Sequence, residues 1–194
     1  MRMTGGGSSA FPLAVVHGKS SWARATGIVY LLYFLIAVAG QALVSKGLEL
    51  PGKATNCFAV ALYIALGILL YRLFLPAGRI LSLVAALFNL AGSAVMVAAV
   101  FRDGNPPVSP LLFFGMYCLL IGVLILRSTF LPRFLGWLNA AAGIGWFVFL
   151  LPLHARFLNL SIEVVGFIAE ALLMLWLLAR GVNEQKWVGG ATGS

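Results

Sequence analysis

The stretch that decides the fold is SIEVVGFIAEALLMLWLLAR, from Ser161 to Arg180. Crossing the hydrocarbon core of a bilayer takes about 20 consecutive apolar residues, and this run is long enough. A carboxylate, Glu170, lies at its middle. Insertion scales penalise a charged side chain at the bilayer centre by about 2.5–3.5 kcal/mol. We therefore expect the rest of the chain to shelter Glu170 from lipid.

The composition of the whole chain points the same way. Of its 194 residues, 62% are hydrophobic and only 9% are charged, whereas a soluble domain carries about 25% charged residues. The sequence therefore predicts an integral membrane protein. The net charge of +8 comes from Lys and Arg scattered between apolar runs. Because they form no basic patch or helix, we expect no nucleic-acid partner.

Apolar runs separated by polar or proline-containing turns predict an all-α, polytopic bundle of six transmembrane helices. The predicted spans are about 25–45, 56–72, 79–101, 109–126, 134–153 and 161–180. Together they form one membrane domain over residues 22–187, between a flexible N-terminal tail (1–21) and a C-terminal tail (188–194). Ser109 before Pro110 predicts the N-cap of the fourth helix.

The first span has two interpretations. Lys19 and Arg24 before an apolar core, with Ala37-Val38-Ala39 after it, fit a signal peptide with a cleavage site. The apolar run continues through Leu43 and Val44. That continuation favours an uncleaved anchor.

The basic residues indicate the orientation of the bundle. With six spans both termini lie on one side of the membrane. Nine of the 13 Lys and Arg fall on that side, and Lys46, Lys53, Arg102 and Arg156 fall on the other. The positive-inside rule then predicts that both termini are cytoplasmic.

Polar residues at mid-span depth define a candidate site. In lipid, small and polar residues mark the helix faces that turn inward. Tyr33, Asn89, Tyr117 and Glu170 lie near the middle of their spans, and no Lys, Arg or His does. Since apolar surroundings disfavour a charged carboxylate, we expect Glu170 to be protonated and hydrogen-bonded to Asn89 or a tyrosine hydroxyl. Cys118 and Cys57 are interpreted as small apolar filler.

Catalytic and metal-binding motifs are absent from the sequence. It contains no HExxH, no GxSxG, no Walker loop and no dinucleotide fingerprint. Its two histidines, His17 and His154, fall in the N-terminal tail and a loop. We therefore expect no catalytic residues, no cofactor and no metal site, and an enzyme is the least favoured class.

Several stretches resemble one bacterial family. They are RATGIVYLLYFLIAVAG, LYRLFLPAGRILSLVAALFNLAGSA, FFGMYCLLIGVLILRSTFLPRFLGWLNAAAGIGW and GFIAEALLMLWLLARGVNEQKW, from Arg24 to Trp187. The most specific are the turn from Leu126 to Gly136 and the run from Glu170 to Leu178. Together they resemble the bacterial domain of unknown function 4386 family.

This resemblance implies a six-helix membrane protein of the bacterial cytoplasmic (inner) membrane, and it implies no activity. It also implies that a histidine is common in the family where this chain has Tyr117. A metal or proton role at that position therefore does not carry over to this chain.

Two functions fit these observations. The first is a non-enzymatic binding or accessory membrane protein. Its expected partner is the lipid bilayer. A second copy of the chain, another membrane protein, and a lipid or small-molecule ligand are further possible partners. The alternative is a small proton or solute carrier that uses Glu170 at the bilayer midplane.

Overall fold

The computed structural model describes residues 13–101, 108–149, 156–183 and 185–187. Within these ranges the chain forms six α-helices, a short 3-10 turn at Leu75–Ala77 and no strand. The helices are α1 (Leu13–Ser45), α2 (Glu49–Phe74), α3 (Arg79–Phe101), α4 (Pro110–Arg127), α5 (Arg133–Phe149) and α6 (Arg156–Ala179). The predicted all-α class is confirmed for the described chain.

Five segments are long and apolar enough to cross a membrane. They are Trp22–Ser45, Glu49–Ala77, Arg79–Phe101, Pro110–Arg127 and Ser161–Ala179. The described part of α5 has 17 residues and is not among them. The described residues therefore supply five candidate spans, where the sequence predicts six.

Large apolar side chains cover the outer surface of the helices. Leu35 is 58% exposed, Phe167 57% and Ile80 80%. Contiguous apolar surface on this scale is not tolerated by a protein surrounded by water. The outward faces are therefore suited to lipid, which agrees with a multi-pass membrane protein.

Two helices begin earlier than the sequence predicts. α1 starts at Leu13, inside the segment predicted to be a flexible tail, so residues 13–21 are helical. α2 starts at Glu49, because Pro51 lies in the first helical turn, where its missing N–H costs no hydrogen bond. Residues 1–12, 150–153 and 188–194, for which tails and the end of the fifth span are predicted, lie outside the described residues.

The six helices pack in a closed ring. Each helix contacts the next one along the chain, and α6 returns to contact α1. The predicted N-cap of α4 is confirmed, since the Ser109 hydroxyl accepts a hydrogen bond from the Leu111 N–H at 3.3 Å. Side chains at mid-helix from α1, α2, α4 and α6 consequently meet inside the ring.

Four glycines bring α4 and α5 together. A β-carbon at Gly122 would lie 2.6 Å from the Ala140 nitrogen, and one at Gly143 would lie 2.6 Å from the Leu119 nitrogen. Gly115 and Gly136 face the same interface. The absence of side chains lets the two backbones approach closely, which strengthens packing where lipid gives no hydrophobic driving force.

The α2–α3 and α4–α5 turns lie at one end of the bundle, which we call the turn end. The Phe74 and Phe130 rings from these turns pack with their centroids 6.0 Å apart. The segment after α6 crosses both turns. The Asn183 N–H donates to the Phe130 carbonyl at 3.2 Å, and the Trp187 indole N–H donates to the Leu73 carbonyl at 2.8 Å.

Candidate functional site

Glu170 is buried inside the helix ring, with 7% of its surface exposed. The Cys118 thiol donates a hydrogen bond to its Oε1 at 3.6 Å, and the Tyr30 hydroxyl is a second hydrogen-bond partner. The carboxyl group thus joins α6 to α4 and α1. The structure shelters this group from lipid in the way the sequence requires, and the tyrosine hydroxyl that meets it is that of Tyr30.

Aromatic rings surround the Glu170 carboxyl. The Tyr33 and Tyr63 ring centroids are 5.1 Å apart, and those of Tyr63 and Tyr117 are 5.9 Å apart. Tyr30 continues the cluster at 6.4 Å from Tyr33. We call Tyr30, Tyr33, Tyr63 and Tyr117 the tyrosine cluster. All four lie within electrostatic range of Glu170.

Asn89 lies at mid-helix depth but does not join Glu170. Its side-chain amide donates to the Tyr63 carbonyl at 3.4 Å. A β-carbon at Gly67 would lie 2.6 Å from Cγ of Asn89, so the asparagine fits into a notch in α2. Of the four predicted site residues, the structure therefore brings Tyr33, Tyr117 and Glu170 together and places Asn89 at the α2–α3 interface.

Two hydroxyls of the tyrosine cluster have no hydrogen-bond partner among the described residues. They belong to Tyr63 and Tyr117, and both oxygens are buried. Leaving a buried polar group unpaired costs about 1–3 kcal/mol, and such groups are few in folded proteins. Of these two residues, Tyr63 also lines a cavity.

Such a cavity reaches the tyrosine cluster from between α3 and α4. It has a volume of about 230 Å³, and Tyr33 and Tyr63 line it together with Phe88, Met96 and Phe114. Its walls are otherwise apolar. A ligand in this cavity would contact hydrocarbon side chains along its length and tyrosines at its inner end.

Two further cavities continue from this one towards the end of the bundle opposite the turn end. The second, of about 320 Å³, shares Tyr33, Met96 and Pro110 with the first and adds Gln41 and Asn56. The third, of about 390 Å³, shares Gln41 and Asn56 with the second and is bordered by Glu49 and Lys53. We call the three together the groove. Its outer end is polar and charged, and its inner end is aromatic.

Three residues that surround Glu170 are absent from the sequence-based site. Tyr63 lies at the centre of α2, so the depth criterion that selected Tyr33 could also have found it. Tyr30 is one helical turn from Tyr33 on the same face. Cys118, interpreted from sequence as apolar filler, is a hydrogen-bond donor to Glu170, and no sequence signal separates the two roles.

No group of three or more His, Cys, Asp or Glu side chains that could hold a metal ion occurs in the described part of the chain. The tyrosine cluster, Cys118 and Glu170 instead offer hydroxyl, thiol and carboxyl groups in apolar surroundings. These groups donate and accept hydrogen bonds and can pass a proton. They are suited to binding an uncharged polar group.

Part of the chain matches a known protein family. Residues 108–181 match the family model described as Domain of unknown function (DUF4386). The resemblance to the DUF4386 family is confirmed over these residues. The matched region contains α4, α5 and α6 in full, and it therefore includes Tyr117, Cys118 and Glu170.

Outside the DUF4386 model, one curated relative extends the similarity. An uncharacterised protein of Archaeoglobus fulgidus is 28% identical over 130 residues, which cover 63% of this chain and 78% of the relative. No solved structure matches the chain significantly. These similarities indicate no activity.

Proposed function

We propose that this protein is a non-enzymatic, ligand-binding protein of the bacterial cytoplasmic membrane, with six spans and both termini in the cytoplasm. Its ligand is an uncharged amphiphile, such as a lipid or a lipid-soluble small molecule, that carries a hydrogen-bond acceptor. The groove holds this ligand with the acceptor directed at the tyrosine cluster. The observation that carries the proposal is the cavity that ends on Tyr33 and Tyr63, where the Tyr63 hydroxyl is buried without a partner among the described residues.

The shape and polarity of the groove support this ligand class. Its inner cavity is walled by Phe88, Met96 and Phe114, which favour an apolar chain over a charged one. Gln41 and Asn56 follow in the next cavity and can hydrogen-bond a polar head. A ligand with an apolar middle and polar ends satisfies each part of this surface.

The packing of α5 supports a sixth span. It contacts α4 along the glycine interface and also contacts α6, so it lies in the same ring as the candidate spans. Its 17 described residues correspond to about 26 Å at 1.5 Å per residue, close to the roughly 30 Å hydrocarbon core.

The orientation of the bundle is tested with a green fluorescent protein fused after Ser194, because this reporter folds and fluoresces only in the cytoplasm. A dark fusion protein would contradict the proposed topology.

Binding is tested by native mass spectrometry of the protein purified in mild detergent. We expect a retained small molecule or lipid. The Ala37→Leu variant adds bulk to the groove, which Ala37 lines, and should lose the retained molecule. The Ala39→Leu variant adds the same bulk on an exposed position of the same helix and should keep it. Equal retention by both variants would argue against the groove, and the same spectra report whether the protein is a homo-oligomer or retains another membrane protein.

Glu170 favours a second candidate, a carrier of protons or a small solute. Its hydrogen bonds to Cys118 and Tyr30 connect a titratable group at mid-helix to the tyrosine cluster, on which the groove ends. Proteoliposomes that contain the wild-type protein would then show flux, and Glu170→Gln would abolish it without unfolding the protein. Wild-type proteoliposomes without flux, together with a retained ligand, would favour the binding protein.

A further inference from the structure

A separate pocket lies at the turn end, on the opposite side of the tyrosine cluster from the mouth of the groove. It has a volume of about 260 Å³ and is enclosed by α1, α2 and the segment after α6. Leu69, Leu73 and Val182 form much of its apolar lining, and Trp22 and Trp187 complete it. Ligand pockets that take a whole small molecule are usually larger, at about 300–1,000 Å³. This pocket is suited to part of a molecule, such as a length of acyl chain.

A cation marks the rim of this pocket. Arg72 lines the pocket, its side chain is exposed, and its guanidinium lies 5.6 Å from the centroid of the Trp22 ring. Arginine donates paired hydrogen bonds that match the oxygens of a phosphate. An arginine over an apolar cavity, with two tryptophans beside it, combines the contacts that a phospholipid needs at the membrane interface.

The charge at the turn end selects the kind of phospholipid. Seven basic residues whose side chains the structure describes lie at this end: Arg24, Arg72, Arg79, Arg127, Arg133, Arg180 and Lys186. The three described acidic residues lie elsewhere, with Glu49 and Glu163 towards the other end and Glu170 at mid-helix. Asp103 and Glu184 fall outside the described residues. Basic surfaces of this kind attract lipids with a net negative charge over zwitterionic ones.

Hydrogen bonds within the protein already occupy the polar groups of Trp187 and Thr26, which line this pocket. The Trp187 indole N–H donates to the Leu73 carbonyl, and the Thr26 hydroxyl donates to the Trp22 carbonyl at 2.8 Å. Because these polar groups are already bonded, the interior of the pocket presents mainly hydrocarbon. Its polar function is concentrated in Arg72 at the rim.

From these observations we infer that the turn end binds one anionic phospholipid. Its phosphate lies on Arg72, and a segment of one acyl chain fills the cavity between Leu69, Leu73 and Val182. This site is distinct from the groove and does not depend on the function proposed for it.

The test is native mass spectrometry of the full chain titrated with phosphatidylglycerol or phosphatidylcholine in detergent. We expect one phosphatidylglycerol to bind in preference to phosphatidylcholine. Arg72→Gln should weaken phosphatidylglycerol binding about fivefold, the change that corresponds to about 1 kcal/mol for one basic residue. Arg72→Lys should recover part of this loss, because it restores the charge without the paired hydrogen bonds.

The matched control for charge is Arg79→Gln, which removes an exposed arginine at the same end that does not line the pocket. It should change phosphatidylglycerol binding much less than Arg72→Gln. Equal losses from the two variants would show that the lipid responds to general charge, and they would overturn the site. A wild-type protein with no preference for phosphatidylglycerol would overturn it as well.

A second pair of variants tests the cavity itself. Leu69→Phe adds bulk to the pocket lining, whereas Ile68→Phe adds it one residue away at a side chain that is 50% exposed. We expect Leu69→Phe to lower phosphatidylglycerol binding and Ile68→Phe to leave it unchanged. Unchanged binding in both variants would contradict occupation of the cavity by an acyl chain, even if an Arg72 variant fails to fold.

Discussion

The Cys118 thiol lies 3.6 Å from Oε1 of Glu170 and donates a hydrogen bond to it. This contact joins two helices that are far apart in the sequence, and both residues fall within the matched DUF4386 region. Together with the Tyr30 hydroxyl it gives a buried carboxyl group two partners. Interhelical hydrogen bonds of this kind hold membrane helices together where hydrophobic burial does not.

Removing the Glu170 side chain should therefore destabilise the bundle. In Glu170→Ala the Tyr30 hydroxyl loses its partner, which by itself costs about 1–3 kcal/mol. Glu170→Gln keeps an acceptor of nearly the same shape and should lose much less. The measurement is the thermal unfolding midpoint in detergent. Glu163→Ala removes an exposed carboxylate from the same helix and serves as the control. If the Glu163→Ala midpoint falls as low as the Glu170→Ala midpoint, the buried contact makes no special contribution to stability.

The two cysteines should differ in reactivity towards a thiol reagent. Cys118 is 3% exposed and hydrogen-bonded, whereas Cys57 is half-buried. We expect N-ethylmaleimide to modify Cys57 in the folded protein and Cys118 only after unfolding. Intact-mass spectrometry counts the modifications.

A Cys57→Ser variant isolates the Cys118 signal in the same assay. It should remain unmodified until denaturant is added. Rapid modification of this variant under folding conditions would mean that Cys118 is accessible, and the arrangement around Glu170 would have to be revised.

The sequence predicts the helices better than it predicts the contacts between them. Apolar runs, Pro110 and the short turns place the helices because lipid imposes length and composition on each one separately. Pro51 does not locate the start of α2, because proline is as compatible with the first turn of a helix as with the loop before it. The described part of α5 stops at Phe149, and for this reason the sixth span is still a proposal.

Depth could be predicted for the candidate site, but rotation about each helix axis could not. Asn89 and Glu170 are both mid-helix residues, yet Asn89 turns to Tyr63 because the notch at Gly67 accepts its amide. That notch exists only once α2 and α3 have packed. Tyr30 and Cys118 likewise reach Glu170 only because α1, α4 and α6 have packed together. No residue pattern along a single helix determines these contacts.

The α4–α5 interface should be intolerant of side-chain bulk. In Gly143→Leu the added atoms would meet the Leu119 backbone nitrogen and the Gly115 carbonyl, which cannot move without displacing α4. Overpacking typically costs about 1–3 kcal/mol, and a backbone obstacle puts this variant towards the upper end of that range. Ala141→Leu adds comparable bulk at an exposed position of α5 and should be neutral. Unfolding midpoints that agree within error would contradict the glycine interface.

The segment after α6 should stabilise the turn end through Trp187. Its indole N–H is bonded to the Leu73 carbonyl at 2.8 Å, 114 residues away in the sequence. In Trp187→Phe an aromatic ring is kept, but this bond and part of the indole packing are lost, so we expect a loss of at least about 0.5–1.5 kcal/mol. Trp137→Phe provides the comparison, because the Trp137 side chain is 67% exposed and its replacement should leave stability unchanged. Thermal unfolding in detergent measures both variants. A Trp187→Phe protein as stable as Trp137→Phe would show that the terminal segment rests on the turns without supporting them.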